Sequence, residues 1–347
     1  MSYIGVTLNH FRALQDWGIA HQAELRLDMK TFRVDVEWEG ARCQLHPQFL
    51  NGSGSSLSYA TVLSPSVSGF IGWLPYRPLR WPLSSDKLAF KGFLAHNQLR
   101  TPGSWKLPGN VDQNHLLKLP VGSFGQAVFG PYRAGVEAWK SDGHAARLEQ
   151  GLFAEQFVVG RNLKVWFWGD RPFHAHLHER PVVAGDGAST IEALVATRLG
   201  RLDRRVPETA DRPWLVSSLA FQGLGLDSVL PIGQEAWIEF RYGRLYADSP
   251  IQAHSDSDLD ALSLAVRTQV ERMGACMHDA LTTELGLPVL YALDAVVDAS
   301  DEVWWLEANS NPILPPTGYG PMLASLFDIR YRDPAPSSMA LASAVEA

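Results

Sequence analysis

Residues 288–312 read PVLYALDAVVDASDEVWWLEANSNP, two apolar runs at 288–298 and 303–312 with a short polar turn between them. Runs of this length joined by so short a connection fold back as an antiparallel hairpin. Pairing Asp298 with Val303 across the turn sets Asp294 opposite Glu307, and Asn309, two residues on, faces the same side because side chains alternate along a strand. Two carboxylates and an amide oxygen then converge. A sparse all-oxygen set suits a hard cation that keeps part of its water and takes its other ligands from phosphates, which favours Mg²⁺ over zinc. The competing reading is a hairpin whose acids only face water. Against it, Val303, Trp304 and Leu306 flank Glu307 with apolar surface, and the Asn311-Pro312 step breaks the strand just beyond.

The rest of the chain can support such a site. Its 347 residues are 46% hydrophobic and 19% charged, so burial can offset chain entropy across about two or three packed units. A net charge of −7, without a long Lys/Arg block, excludes nucleic acid as an expected partner. The densest basic stretch, Arg198, Arg201, Arg204 and Arg205, is broken by Asp203 and reads as a solvated helix end. Cys43 and Cys276 stand at neither metal-ligand nor redox spacing, which fits reduced thiols in the cytoplasm. The N-terminus lacks the basic start and apolar core of a secretory signal, and no apolar stretch reaches membrane-spanning length, so a soluble protein without a membrane partner is expected.

Periodicity predicts an amphipathic helix over 11–25 and an alternating strand over 31–38, carried by Phe32, Val34, Val36 and Trp38. Residues 51–58 form a Gly/Ser loop, and the proline-punctuated stretch 74–82 leads into a new unit with a boundary near Ser84. A helix runs from Asp86 to about Gln98 and stops before Thr101-Pro102, since a residue preceding proline avoids the helical region. Short β-like segments follow at 116–119, 154–159, 163–168 and 174–178. A helix over 258–285 carries Leu262, Val266, Val270, Met273, Met277 and Leu281 at helical spacing and ends at Gly286 and Pro288.

Several patterns carry chemistry. Lys118 ends a strand that runs into a loop containing Gly122, Ser123 and Gly125, where backbone amides can approach phosphate and the lysine supplies a point charge; an ordinary hairpin would look the same. Glu155 sits where one strand hands over to the next, an edge that can offer backbone groups to a purine or simply leave the acid solvated. Ser189 and Glu192 form a capping box after the turn Gly185-Asp186-Gly187. That turn gives Arg180 no structural purpose and leaves it available for an anionic intermediate. His174, His176 and His178 share one face of a strand. Three imidazoles from one strand do not close a tetrahedral zinc shell without a fourth ligand, so they read as a pocket or surface face.

Taken in order, DKLAFKGFLAHNQLRTP (86–102), LLKLPVGSFGQAVF (116–129), AEQFVVG (154–160), ERPVVAGDGASTI (179–191), LDAVV (293–297) and WWLEANSNP (304–312) resemble the successive signatures of the ATP-grasp ligase superfamily. The segment 179–191 is most similar to the cyanophycin synthetase and glutathione synthetase-like branches, which join a carboxylate to an amine. The resemblance implies an α+β ATP-grasp fold. Its two lobes, 84–155 and 156–330, would grip ATP, with an N-terminal α/β-type domain at 1–83 and a tail at 331–347.

It further implies that Lys87 and Lys118 contact the nucleotide phosphates, that the loop with Gly122, Ser123 and Gly125 closes over them, and that Glu155, Gln156 and Val158 line the adenine site. Asn162 stands where related ligases often carry an acid that grips the ribose, a departure from the pattern. Lys164 faces the phosphates and Arg180 meets the terminal phosphate or an acyl phosphate. Asp294, Glu307 and Asn309 hold Mg²⁺, for which Mn²⁺ can substitute. The implied reaction joins a small-molecule carboxylate to an amine at the expense of ATP, with assembly as a homodimer left open. Rival readings are a small-molecule kinase or a ligase that modifies a ribosomal peptide, and, in another class, a nucleotide-binding regulator without turnover. The intact set of Lys118, Arg180, Asp294, Glu307 and Asn309 speaks against the regulator.

Overall fold

Helix α1 (Tyr3–His21) and five strands, β1 (Glu24–Leu27), β2 (Val34–Trp38), β3 (Ala41–Ser53), β4 (Ser56–Ala60) and β5 (Val67–Leu74), make up the N-terminal part of the computed structural model, which describes residues 3–53, 56–122, 128–201, 212–241 and 257–328. The helix ends earlier than its periodicity suggests because Gln22 takes a φ of +54° and the Ala23 N–H closes on the Gly18 carbonyl at 2.9 Å. In β2 the expected alternation is present, with Val34 and Val36 buried and Asp35 exposed. The Gly/Ser stretch at 51–58 is the tip of the β3–β4 hairpin, with strand pairing continued up to Ser53 and Ser56. Every pairing in this sheet is antiparallel, so helix and strands are segregated as in an α+β unit rather than interleaved through crossovers.

Helices α2 (Pro82–Ser85) and α3 (Lys87–His96) follow. The Asp86 carboxylate caps α3 by accepting from Leu88 N at 2.7 Å and Ala89 N at 3.3 Å. Lys87, Phe90, Lys91 and Leu94 form its buried stripe, at spacings i, i+3, i+4 and i+7. Strands β6 (Ser104–Lys106), β7 (His115–Lys118) and β8 (Val128–Tyr132), helix α4 (Asp142–Ala145) and strand β9 (Phe153–Gln156) come next, and their strands form a sheet in the order β6-β9-β7-β8.

Beyond the connection at 157–160 lie β10 (Arg161–Trp168), β11 (Arg171–His178), β12 (Val182–Ala184), α5 (Ile191–Arg201), α6 (Arg212–Phe221), β13 (Glu235–Trp237), α7 (Leu264–Leu285), β14 (Leu290–Val297), β15 (Val303–Asn309) and α8 (Tyr319–Leu326). The capping box expected at Ser189 is not formed. Ser189 is held instead by Asp186, whose carboxylate accepts from its N–H and hydroxyl, and Thr190 caps α5 by accepting from Ala193 N at 3.3 Å. Glu192 is drawn away to Arg212 at 2.9 Å. Those hydrogen bonds, from Ser189 foremost, hold the Asp186 carboxyl down at about 2. Helix α7 starts later than expected because Leu262 is extended and Ser263 caps it, and Gly286 in the left-handed region ends it.

The sheet β11-β10-β14-β15 carries the C-terminal hairpin. One of its faces contributes Leu163, Val165, Phe167, Leu293 and Trp305 to a core that also takes in Leu14, Phe49 and Trp73 from the N-terminal part and Val270 and Met277 from α7. Three polar links reinforce that junction. The Tyr319 hydroxyl meets His10 Nδ1 at 2.8 Å and accepts from Trp73 N at 3.0 Å, and Asn311 both accepts from Leu79 N at 3.0 Å and donates to its carbonyl at 2.6 Å. Among the described residues no helix is long and apolar enough to cross a membrane. Both cysteines are free, and burial pushes the Cys43 thiol up to about 12.

Candidate functional site

The hairpin registers Asp294 against Glu307 by a route the spacing alone does not show. Strand β14 ends at Val297, which pairs with Val303, so pairing at the turn is one residue away from the expected Asp298–Val303 match. Asp298 instead closes the turn, its N–H donating to the Glu302 carbonyl at 3.0 Å. The ladder stays one residue out through Ala295–Trp305, then a bulge at Leu306 restores it, giving Asp294–Glu307 and Ala292–Asn309. The bulge also reverses side-chain parity. Val303, Trp305 and Ala308 all face the core, while Glu307 and Asn309 come out on the opposite face beside Asp294.

Asn309 Nδ2 donates to Asp294 Oδ2 at 2.8 Å, leaving its amide oxygen as the third ligand-type atom of the group. Two lysines neutralise the carboxylates. Lys164, paired with Asp294 across β10 and β14, reaches Asp294 Oδ1 at 2.6 Å, and Lys87 stands 3.2 Å from Glu307 Oε2. Lys87 also donates to the Gly122 carbonyl at 2.8 Å, drawing the start of the glycine loop over the hairpin. Ser84, Asp86, Lys87, Gly122, Glu307 and Asn309 line one cleft. The expected loop residues Ser123 and Gly125 lie outside the described residues.

Among the described residues no three His, Cys, Asp or Glu side chains converge, as zinc would ask. Two carboxylates and an amide oxygen are present, so the donor chemistry fits a hard divalent cation completed by phosphate and water. A larger hollow of about 390 Å³, lined by Asp170, Arg171, Arg267 and Glu271, includes none of these groups.

A second ionic cluster lies at the strand β7–β9 interface. Glu155 is buried, not solvated, and is gripped from two sides: Lys118 ion-pairs with Oε1, and Lys91 with Oε2 at 2.8 Å. Burial by itself would raise this carboxyl, but Lys118 and then Lys91 outweigh it and hold it below the usual range. Lys91 spends its other donors on Thr101 Oγ1 at 3.1 Å and the Pro102 carbonyl at 2.8 Å. Sequence reasoning passed over Lys91, although its place on the buried stripe of α3, one turn after Lys87, was a usable signal.

The remaining expected residues lie at or near the connection at 157–160. Gln156 Oε1 accepts from Gly103 N at 3.1 Å, and Asn162, buried at the start of β10, donates to the Phe240 carbonyl at 3.4 Å. Gly160 passes so close to β14 that an added Cβ would sit 2.2 Å from the Val297 carbonyl oxygen. Arg180 does not reach the carboxylates. It donates to the Val158 carbonyl at 3.0 Å, with its guanidinium 5.0 Å from the Phe157 ring and 5.1 Å from the Trp237 ring. Burial pushes it down to about 10, with Glu179 opposing. The expected meeting of Arg180 with a terminal phosphate draws no support from these contacts.

The three histidines occupy the same face as the carboxylates, because His176 pairs with Lys164, Lys164 with Asp294 and Asp294 with Glu307. His174 and His176 are buried, so this part of the face is not an open surface.

No family model and no curated protein sequence matches the chain. Similar solved structures include a bifunctional glutathione synthetase from Pasteurella multocida, 14% identical over 92% of this chain and 43% of that one with a TM-score of 0.41. A D-alanine–D-alanine ligase from Bacillus anthracis is 12% identical over 76% of this chain and 66% of its own, with a TM-score of 0.35. An N5-carboxyaminoimidazole ribonucleotide synthetase from Thermotoga maritima is 11% identical over 66% and 42%, with a TM-score of 0.31. The chain thus spans less than half of the first and third of these.

Proposed function

We propose that the chain is an ATP- and Mg²⁺-dependent ligase that joins a carboxylate to an amine through an acyl phosphate. The observation that carries this reading is the union of Lys87, Gly122, Asp294, Glu307 and Asn309 in one place, built from four separated motifs. Asp294, Glu307 and Asn309 would hold Mg²⁺, which when bound neutralises triphosphate charge. Lys87 and Lys164, released from the carboxylates, turn their ammonium groups to the phosphates.

A substrate carboxylate oxygen attacks the γ-phosphorus and ADP leaves with the bridging electron pair. The amine then adds to the acyl carbon and phosphate departs. Phosphoryl transfer of this kind depends mainly on positioning and charge neutralisation, so no enzyme nucleophile is required, and Cys43 and Cys276 have no part in it. Lys118, locked to Glu155, holds the inner wall of the nucleotide cleft.

The test is an ADP-release screen with proteinogenic amino acids and dipeptides in pairs, read by mass spectrometry for the amide. ADP that appears only when acid and amine are both present, together with the new amide, supports the reading. A phosphorylated product stable to added amines points to a kinase and overturns it.

A further inference from the structure

The hollow of about 390 Å³ takes no part in the steps above, yet its volume falls within the roughly 300–1,000 Å³ usual for small-molecule sites. Three elements border it. The turn between β10 and β11 supplies Asp170 and Arg171, the short 3-10 turn Leu259–Ala261 supplies Asp260, and α7 supplies Arg267 and Glu271. Pro172, Leu259 and Ala275 add apolar surface. Turn and helix are pressed together beside it, since a Cβ added to Gly274 of α7 would sit 2.3 Å from the Asp170 carbonyl oxygen. That close approach fixes two of the walls relative to each other.

The charges around the hollow are held in place but left largely uncommitted. Arg267 Nη2 donates to the Leu259 carbonyl at 3.1 Å and to the Asp260 carbonyl at 2.9 Å, which anchors the guanidinium. Among the described residues its Nε and Nη1 have no hydrogen-bond partner, and its one ion pair is a 3.9 Å contact with the fully exposed Asp260. Glu271 stands one helical turn further along α7, the i, i+4 spacing at which opposite charges usually meet, but no ion pair joins it to Arg267. Asp170 and Arg171 likewise have no ion-pair partner among the described residues. A simple anion in the hollow would meet three acids, and a simple cation would meet two arginines. A molecule with a carboxylate at one end and an ammonium at the other satisfies both signs, the carboxylate on a guanidinium fork and the ammonium on an acid.

We propose that this hollow is a second binding site, for a small zwitterion of the α-amino acid or short-peptide class. Arg267 and Arg171 take its carboxylate, and Glu271 and Asp170 take its ammonium. The inference goes beyond the ligase reading and does not depend on it, because the hollow shares no residue with the cation cleft. No covalent bond is made or broken. An occupant that touches the β10–β11 turn and α7 together ties one to the other, so it stabilises the folded chain according to its affinity.

The test is thermal unfolding of the full chain, without ATP or Mg²⁺, in three additions: an equimolar mixture of proteinogenic amino acids, a mixture of their dipeptides, and a mixture of N-acetyl amino acid amides. The zwitterions, at about 10 mM, should raise Tm by at least about 2 °C, and the blocked compounds, which lack both terminal charges, should not. The mixture giving the larger rise tells amino acid from peptide. Arg171 and Glu271 are exposed, so the double variant Arg171→Gln/Glu271→Gln keeps the fold, and in it the rise should fall by at least half. In Glu307→Ala the rise should persist. No rise in the wild type, an equal rise with blocked compounds, an undiminished rise in the double variant, or its loss in Glu307→Ala each overturns the proposal. Failure of the screen for ADP and amide would instead remove the ligase reading and leave this site standing.

Discussion

Lys87 Nζ lies 3.2 Å from Glu307 Oε2 while donating to the Gly122 carbonyl at 2.8 Å, so one ammonium joins the start of α3, the glycine loop and β15. A charged hydrogen bond of this kind contributes about 1.5–3 kcal/mol. Lys87→Ala should therefore raise the KM for ATP by roughly 10- to 100-fold, with a smaller change in kcat, in steady-state ADP release.

Glu307→Ala should abolish ADP formation and leave the fold intact. Its side chain is 30% exposed, but Lys87 is only 9% exposed and keeps just the Gly122 carbonyl, so the stability change by urea unfolding should be about 1.5–3 kcal/mol. Removal of divalent ions with EDTA should silence the wild type in the same way, and Mn²⁺ should restore it. Normal turnover in Glu307→Ala would remove the cation assignment.

The bulge at Leu306 yields a paired prediction. Deleting Leu306 removes the extra residue and makes alternation continuous, with Glu307 still opposite Asp294, so ADP release should persist. Deleting Ala308 turns Asn309 toward the core and should cost roughly 100-fold or more in kcat, the scale of a misplaced ligand. Equal activity in the two deletions would contradict the face assignment.

Glu155 should govern acid stability. Its folded carboxyl titrates below the unfolded value, so the unfolded chain takes up the proton first as pH falls. The stabilisation is complete above the ordinary carboxylate value of about 4.3 and is lost as pH drops below it through the folded value. Glu155→Gln, which strands Lys91 and Lys118 in a buried setting, should lose about 3–5 kcal/mol at neutral pH and show a flatter stability profile as pH falls below about 4.3.

Much of this was legible in the residues, though not always for the right reason. The opposition of Asp294 and Glu307 follows from spacing, yet the assumed turn was one residue off and the bulge made good the difference. Strong periodicity identified α7 and the Val34–Trp38 part of the strand expected at 31–38, because apolar spacing reports the buried face directly, whereas Phe32 takes a φ of +58° in the turn before that strand. The pairing of Glu155 with Lys91 and Lys118 was not legible. It joins a helix to two strands across long sequence separations, and no local pattern encodes such a contact. The setting of Arg180 between Phe157 and Trp237 was not legible either, because both rings come from segments distant in sequence from it.

Asn311 fastens Leu79 by both backbone groups only two residues beyond Asn309. The cation hairpin and the leading part of the chain therefore meet at a seam, and a push on one side is felt on the other. Grafting the hairpin and its lysines onto a different leading segment would need a replacement for that stitch, or the amide oxygen of Asn309 would drift out of reach.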